Sequence, residues 1–216
     1  NYAMREAYKN DIQVARKSNQ FSLHVFSFDF AQNEKLPYNP QQLERWYYLL
    51  LLKVHQFGLV NEGIDHHWHT LYTEKKALKG TSEIKGHTQN SVDCGFGNTK
   101  KEYAKLEVWC IDQLVNVINR SATNNVAVNL EDQAGPFHDW TSMLSSLYYK
   151  PLAIQKYYFT SLDLLKQNIH IESLYPQELL PKGLPEEKQI DLWNNIHPYC
   201  LIAFCDKYCL KPDKDM

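Results

Sequence analysis

The segment from Phe21 to Ala31, Phe-Ser-Leu-His-Val-Phe-Ser-Phe-Asp-Phe-Ala, constrains the fold more than any other stretch of the chain. It is rich in aromatic and β-branched residues and alternates with period two, which is strand chemistry. Leu23, Val25, Ser27 and Asp29 share one face, and His24, Phe26, Phe28 and Phe30 share the other. A strand apolar on both faces belongs inside a sheet that is covered on both sides. Asp29 is then the anomaly. A carboxylate among phenylalanines is costly to desolvate unless a metal, a cation or several donors meet it.

The flanks extend this into an α/β arrangement. Residues 3–18 predict an amphipathic helix, with Met4, Ala7, Tyr8, Ile12 and Ala15 at three- and four-residue steps. Asn33 to Pro40 is a loop, and Trp46 to Val60 reads as a strand bent near Gln56. Asn61-Glu62-Gly63 supplies the turn into a polar returning strand, Ile64 to Thr73. The first seventy-odd residues therefore predict a helix followed by a three-stranded antiparallel meander. Beyond Gly80, Thr81-Ser82-Glu83 opens a helix that Lys85-Gly86 breaks at once. Helix resumes near Ser91 and runs, interrupted near Glu107, to about Arg120. A strand (Val126–Leu130), a helix (His138–Leu147) and a strand (Ile154–Phe159) follow, then a Pro-punctuated linker over 176–185. A last helix opens on Pro185-Glu186-Glu187.

At 216 residues with 25 Asp+Glu against 23 Lys+Arg, one globular domain is expected, and the charge excludes a wholly basic nucleic-acid binder. The longest apolar run, Trp46–Leu52, is too short for a membrane span. The N-terminus shows no charged-then-apolar leader, so a soluble chain is expected, and the start at Asn1 instead of Met suggests a fragment. Five cysteines, an odd count, favour a reducing intracellular compartment.

Several constellations could carry chemistry. Asp29 is either a divalent-metal ligand at a sheet's centre or a cap on the following loop through the Gln32 or Asn33 amides. In Gly86-His87-Thr88-Gln89-Asn90-Ser91-Val92-Asp93-Cys94-Gly95-Phe96-Gly97, glycines flank a His and an Asp and would let backbone approach a ligand. The competing reading makes Ser91 an N-cap and Asp93 a first-turn acid. Asp65, His67 and His69 share a strand face and could hold a metal, yet no fourth ligand is evident and a polar strand face explains them. His197, Cys200, Cys205 and Cys209 have zinc-capable side chains in the wrong order, which favours core cysteines. From Lys75 to Lys105 seven lysines face three acids, a phosphate-binding patch or a solvated helix face. No phosphate loop, dinucleotide fingerprint or Gly-x-Ser-x-Gly elbow is present, so no nucleotide cofactor is expected.

An antiparallel meander with an aspartate in its first strand, followed by an acid entering a helix, is the layout of RNase H-like nucleases and transposases. The wording is closer still: Ser27-Phe28-Asp29-Phe30-Ala31-Gln32, Leu36-Pro37-Tyr38, Lys53-Val54-x-x-Phe57-Gly58, Glu62-Gly63, Gly86-His87-Thr88, Asp93 and Phe96-Gly97 occur in order. Across most of residues 5–200 this resembles an uncharacterised family of transposon-derived proteins with a DDE-type catalytic core. The resemblance implies metal-dependent DNA cleavage and joining, with Mg²⁺ as cofactor and DNA as partner. It makes Asp29 the first catalytic acid and metal ligand and Asp93 the third, with His87 beside them. Lys85, Lys100, Lys101 and Lys105 become nucleic-acid contacts.

The departure matters as much as the match. The family carries a segment with the second acid between its Lys-Gly-Thr-Asn-Glu-like helix start and its Gly-His-Thr motif. Here Lys79-Gly80-Thr81-Ser82-Glu83-Ile84 runs straight into Lys85-Gly86-His87-Thr88. Two-metal phosphoryl transfer needs carboxylates around both ions, so losing one acid implies lost catalysis. The missing segment should also leave a sheet edge and a sheet face uncovered. The expectation is an N-terminal helix (1–20), an incomplete RNase H-like mixed-sheet core (21–121) and a mostly helical C-terminal extension (122–216). It would be intracellular, the nucleus included, and inactive. The alternative is a non-enzymatic module binding nucleic acid or protein through that lysine patch and surface aromatics such as Trp68.

Overall fold

The computed structural model describes residues 2–17, 25–41, 46, 48–77, 91–133, 137–139, 142, 143, 145, 176–209, 211 and 212. Helix α1 (Tyr2–Lys17) precedes β1 (Phe26–Phe30), β2 (Glu34–Leu36), β3 (Leu52–Asn61) and β4 (His66–Thr73). Then come α2 (Ser91–Tyr103), α3 (Ile111–Ser121), β5 (Asn125–Asn129), α4 (Glu186–Asn195), a 3₁₀ turn (His197–Tyr199) and α5 (Ile202–Tyr208). No helix among the described residues is long and apolar enough to cross a membrane.

The described strands form one mixed sheet in the order β1-β3-β4-β5, with β2 extending β3's other pairing. β1, β3 and β4 are the antiparallel meander. β5 returns parallel to β4 after α3, the crossover that a parallel pair requires. The sequence misjudges three features here, the first being β2, a strand at Glu34–Leu36 within the stretch from Asn33 to Pro40 expected as a loop. β1 lies at the sheet's end, among the described strands, where an interior position was expected, and its Phe26 and Phe28 are half exposed. The second strand starts at Leu52, not Trp46, and pairs without a break through Gln56. Trp46 instead packs with Leu51, Leu192 and Ile196 in a cluster under α4. Its apolar neighbours mimic a strand, but the indole belongs to a different core.

Register decides which side chains meet the helices. Leu52, Val54, Gln56, Gly58 and Val60 of β3 face one way and are all buried. Two of the closest helix–sheet approaches are made by glycines. A Cβ at Gly58 would lie 2.6 Å from Val92 Cγ1, and one at Gly95 would lie 2.8 Å from His67 Nδ1. Close approach of α2 to the sheet therefore requires both. Leu114 and Ile118 of α3 complete the main core with Val54, Leu71 and Val108. α3 buries its apolar stripe at Ile111, Leu114, Val117 and Ile118, as its period predicts.

The C-terminal part, expected to be mostly helical, holds β5 and a non-helical stretch over 176–185 before its helices begin. α4 starts after Pro185 with Glu186 and Glu187 in its first turn, but α5 follows it, so α4 is not the last helix. Most of the helix and all of the strand expected within 138–159 lie outside the described residues.

Candidate functional site

Asp29 and Asp93 come from distant elements and line the same cleft. Asp29 sits opposite Gly58 on the helix-covered side of β1. Asp93 sits in the first turn of α2, where a negative charge meets the helix dipole favourably. The cleft between them has a volume of about 520 Å³ and is also lined by Glu34, Gln56, Lys100 and Tyr103. Asp29 Oδ1 accepts the Phe30 N–H at 2.7 Å, so its local cap is its neighbour's amide and not those of Gln32 or Asn33.

Glu34 is a third acid in the cleft that sequence reasoning passed over. Burial pushes its carboxyl upward, and the Lys100 ammonium works against that shift. The signal was available, since Glu34 follows Asp29 by five residues, but the Asn33–Pro40 stretch read as plain loop. Tyr103 closes the cleft floor, donating its hydroxyl to Lys35 O at 2.7 Å and stacking on Tyr38 at 4.2 Å between ring centroids.

The other expected site residues fall differently. His87 and Lys85 lie outside the described residues. Lys100 and Lys101 are exposed on α2, while Lys105 is held by Glu102 at 2.7 Å. Lys75 is largely buried, which lowers its pKa, and interacts with Glu131 and Cys209.

Gly95 serves the fold where a ligand role was conceivable, because it admits His67 and His69 beneath α2. These two histidines are buried, which corrects their reading as a polar strand face. His69 Nδ1 lies 3.0 Å from Gln56 Nε2, and His67 Nε2 lies 3.4 Å from Asp65 Oδ1. Burial holds His69 down at a pKa of about 4 against the opposing pull of the nearby Asn125 amide, and the His67 charge pushes the same way as burial.

A second buried acid sits at the far end of the sheet. Glu62 is 3% exposed, and its Oε1 accepts the Tyr8 hydroxyl at 2.7 Å, the Ser27 hydroxyl at 2.6 Å and the Ser91 hydroxyl. Ser91 thus donates to Glu62 across the fold. This one carboxylate ties α1, β1, the β3–β4 turn and the start of α2. Burial raises the Tyr8 phenol, and the Glu62 bond and charge raise it further. The sequence hid Glu62 inside an Asn-Glu-Gly turn signature.

At the C-terminus Cys205 and Cys209 are buried and all five cysteines are free thiols. Cys205 Sγ donates to Cys200 O at 3.4 Å. Burial pushes the Cys200 thiol upward and Cys209 to about 11. Core cysteines describe them.

Mg²⁺ is the ion that the DDE resemblance implies. Among the described residues, no three His, Cys, Asp or Glu side chains gather as a group able to hold a metal ion. Asp29, Glu34 and Asp93 border one cleft without forming such a group, so as placed these donors fall short of a two-metal centre. No protein-family model, curated protein or solved structure matches the chain.

Proposed function

We propose that this chain is a transposase-derived, DDE-type domain that keeps a DNA-binding cleft and has lost strand cleavage and joining. The observation that carries the reading is the meeting of Asp29, from the first strand, and Asp93, from the first turn of a helix, on one cleft beside Lys100. These are the two acids that the resemblance marks as first and third. The loss of catalysis rests on the sequence, where Glu83-Ile84 runs into Lys85-Gly86 with no segment to carry the second acid. Asp29 and Asp93 are the residues that would hold Mg²⁺ in the family chemistry. The exposed Lys100 lining the cleft supplies a phosphate contact, and Lys101 is its exposed neighbour on α2. Such a domain works inside the cell, where its DNA is.

Two assays test this reading. Anisotropy of a labelled duplex should show binding that weakens steeply between 50 and 200 mM salt and weakens again in Lys100→Glu. Supercoiled plasmid with Mg²⁺ or Mn²⁺ should be nicked no faster by this protein than by its Asp29→Ala variant. Nicking that depends on Asp29 would overturn the loss of catalysis. Absence of duplex binding at low salt would overturn the cleft's role.

A further inference from the structure

The outward positions of the sheet form a surface unlike the rest of the molecule. Phe28 of β1 pairs with Leu59 of β3, Leu59 with Trp68 of β4, and Trp68 with Val126 of β5. This row crosses the whole sheet on the face opposite to Gly58, Gly95 and α2. It is open. Phe28 is 52% exposed, Phe26 48%, and Val126 and Val128 39% each. Phe57 lies 6.1 Å from Phe28 and 5.0 Å from Phe30, and His66 lies 4.5 Å from Trp68, centroid to centroid. The face is buried near β2, where His55 and Tyr72 are covered and Phe137 packs on Tyr72 at 4.8 Å, and again at Asn61 at the other end of β3.

Charge selects what such a face would hold. Every outward position of the five described strands carries an apolar, aromatic, neutral polar, histidine or lysine side chain, and none carries a carboxylate. Lys35 and Lys53 are direct cross-strand partners there, and both are exposed. The nearby Glu74 is held by Lys188. Exposed rings on an open sheet, with cations at one end and no anions, fit bases that stack and phosphates that pair. A protein partner would need no such bias in charge. Few hydroxyl or amide groups stand on the face to read a 2′-hydroxyl, which favours DNA over RNA.

We infer that this open sheet face binds single-stranded DNA, with bases stacking on Phe28 and Trp68 and phosphates meeting Lys35 and Lys53. Phe28 and Trp68 are two strand spacings apart, roughly 10 Å. The inference goes beyond the cleft reading, because the cleft's acids and α2 lie on the other face of the sheet.

The test uses the full chain and a fluorescein-labelled oligo-dT of about 20 nucleotides, followed by anisotropy. The unaltered protein should bind at low salt. Phe28→Ala and Trp68→Ala should each weaken binding roughly 5- to 100-fold. Phe28→Trp should retain binding, while Phe28→Leu, apolar but not aromatic, should lose it at unchanged melting temperature. Lys53→Glu should weaken binding and flatten its salt dependence. Lys100→Glu, which disturbs the cleft, should leave oligo-dT binding unchanged while reducing duplex binding, so failure of one site is separable from failure of the other. No oligo-dT binding, or Phe28→Leu equal to the unaltered protein, overturns the inference. Tighter binding of oligo-U overturns the choice of DNA. If light scattering shows a dimer that Phe28→Asp converts to monomer, the face is an interface between copies and the inference also falls.

Discussion

The two faces of the central sheet differ in what they mix: the covered face combines the apolar core of Leu36, Leu52, Val54 and Leu71 with buried polar groups, and the open face combines exposed rings with lysines. The covered face buries polar side chains: Ser27, Gln56, His67, His69 and Asn125 all lie beneath or beside the helices. The open face shows phenylalanine and valine to solvent. A sheet with one solvated face normally puts the apolar residues inside and the polar ones out. Some of these buried polar groups hold one another, while His67 Nδ1, His69 Nε2 and Asn125 Oδ1 have no hydrogen-bond partner among the described residues. Ser27 donates to Glu62 at 2.6 Å, Gln56 meets His69 at 3.0 Å, and Asn125 Nδ2 donates to Ser121 Oγ at 2.8 Å. Phe28 on the open face meets Phe57 and still leaves half of its surface to solvent. The lesson is that the covered face specifies how α1, α2 and α3 seat, while the open face is free to serve recognition.

If the covered face works through satisfied polar groups, breaking one should cost more than any change on the open face. Glu62→Ala leaves three hydroxyls without their acceptor and should cost about 4 kcal/mol in urea unfolding. Glu62→Gln, which keeps one carbonyl, should cost roughly half of that. A cost under about 1 kcal/mol for the alanine would mean the network is incidental.

His69 offers a pH handle on the same face. Its folded pKa is lowered to about 4 by burial, so the unfolded chain takes up its proton first as pH falls. Stability from this group is therefore full above pH 6.5 and is lost between 6.5 and about 4. The loss amounts to about 3 kcal/mol. His69→Gln should remove that part of the acid sensitivity, read as the difference between unfolding at pH 7 and pH 4.5. If the variant and the parent fall by the same amount, His69 is not buried neutral. Gly58→Ala tests the helix seating instead. Its new Cβ meets Val92 and Phe96 below 3.0 Å, and the overpacking should cost about 2 kcal/mol.

Much of the fold is legible in the sequence, and the reasons are local. α1, α3 and β5 announce themselves through their periods, and the break near Glu107 marks the gap between α2 and α3. The meander follows from alternation plus the Asn-Glu-Gly turn. Sheet order does not follow, because alternation says which residues share a face and nothing about which strand stands at the end. β1, apolar on both sides, therefore predicts an interior position that it does not take. The site divides the same way. Asp29 and Asp93 are conspicuous because each breaks its local pattern. Glu34 and Glu62 are not, since an acid in a loop or turn is ordinary until the fold buries it. His67 and His69 are hidden for the opposite reason, as a polar alternation reads as solvent-facing unless Gly95 is known to sit on it.

The smallest expected effect sharpens the comparison most. Phe28→Ala removes a whole ring, and a fully buried phenylalanine so truncated costs 3–5 kcal/mol. Phe28 is half exposed, with Phe57 nearby at 6.1 Å, so its loss should cost about 1 kcal/mol. Val60, fully buried on the covered face, loses only a pair of methyls in Val60→Ala yet should cost about 2 kcal/mol. The larger truncation should thus be the cheaper one. Unfolding both variants side by side in urea gives the order directly. If Phe28→Ala proves the costlier, something covers that ring in solution and the two faces are not opposites. If the order holds while oligo-dT binding collapses in Phe28→Ala, the ring is kept for what it touches outside the chain.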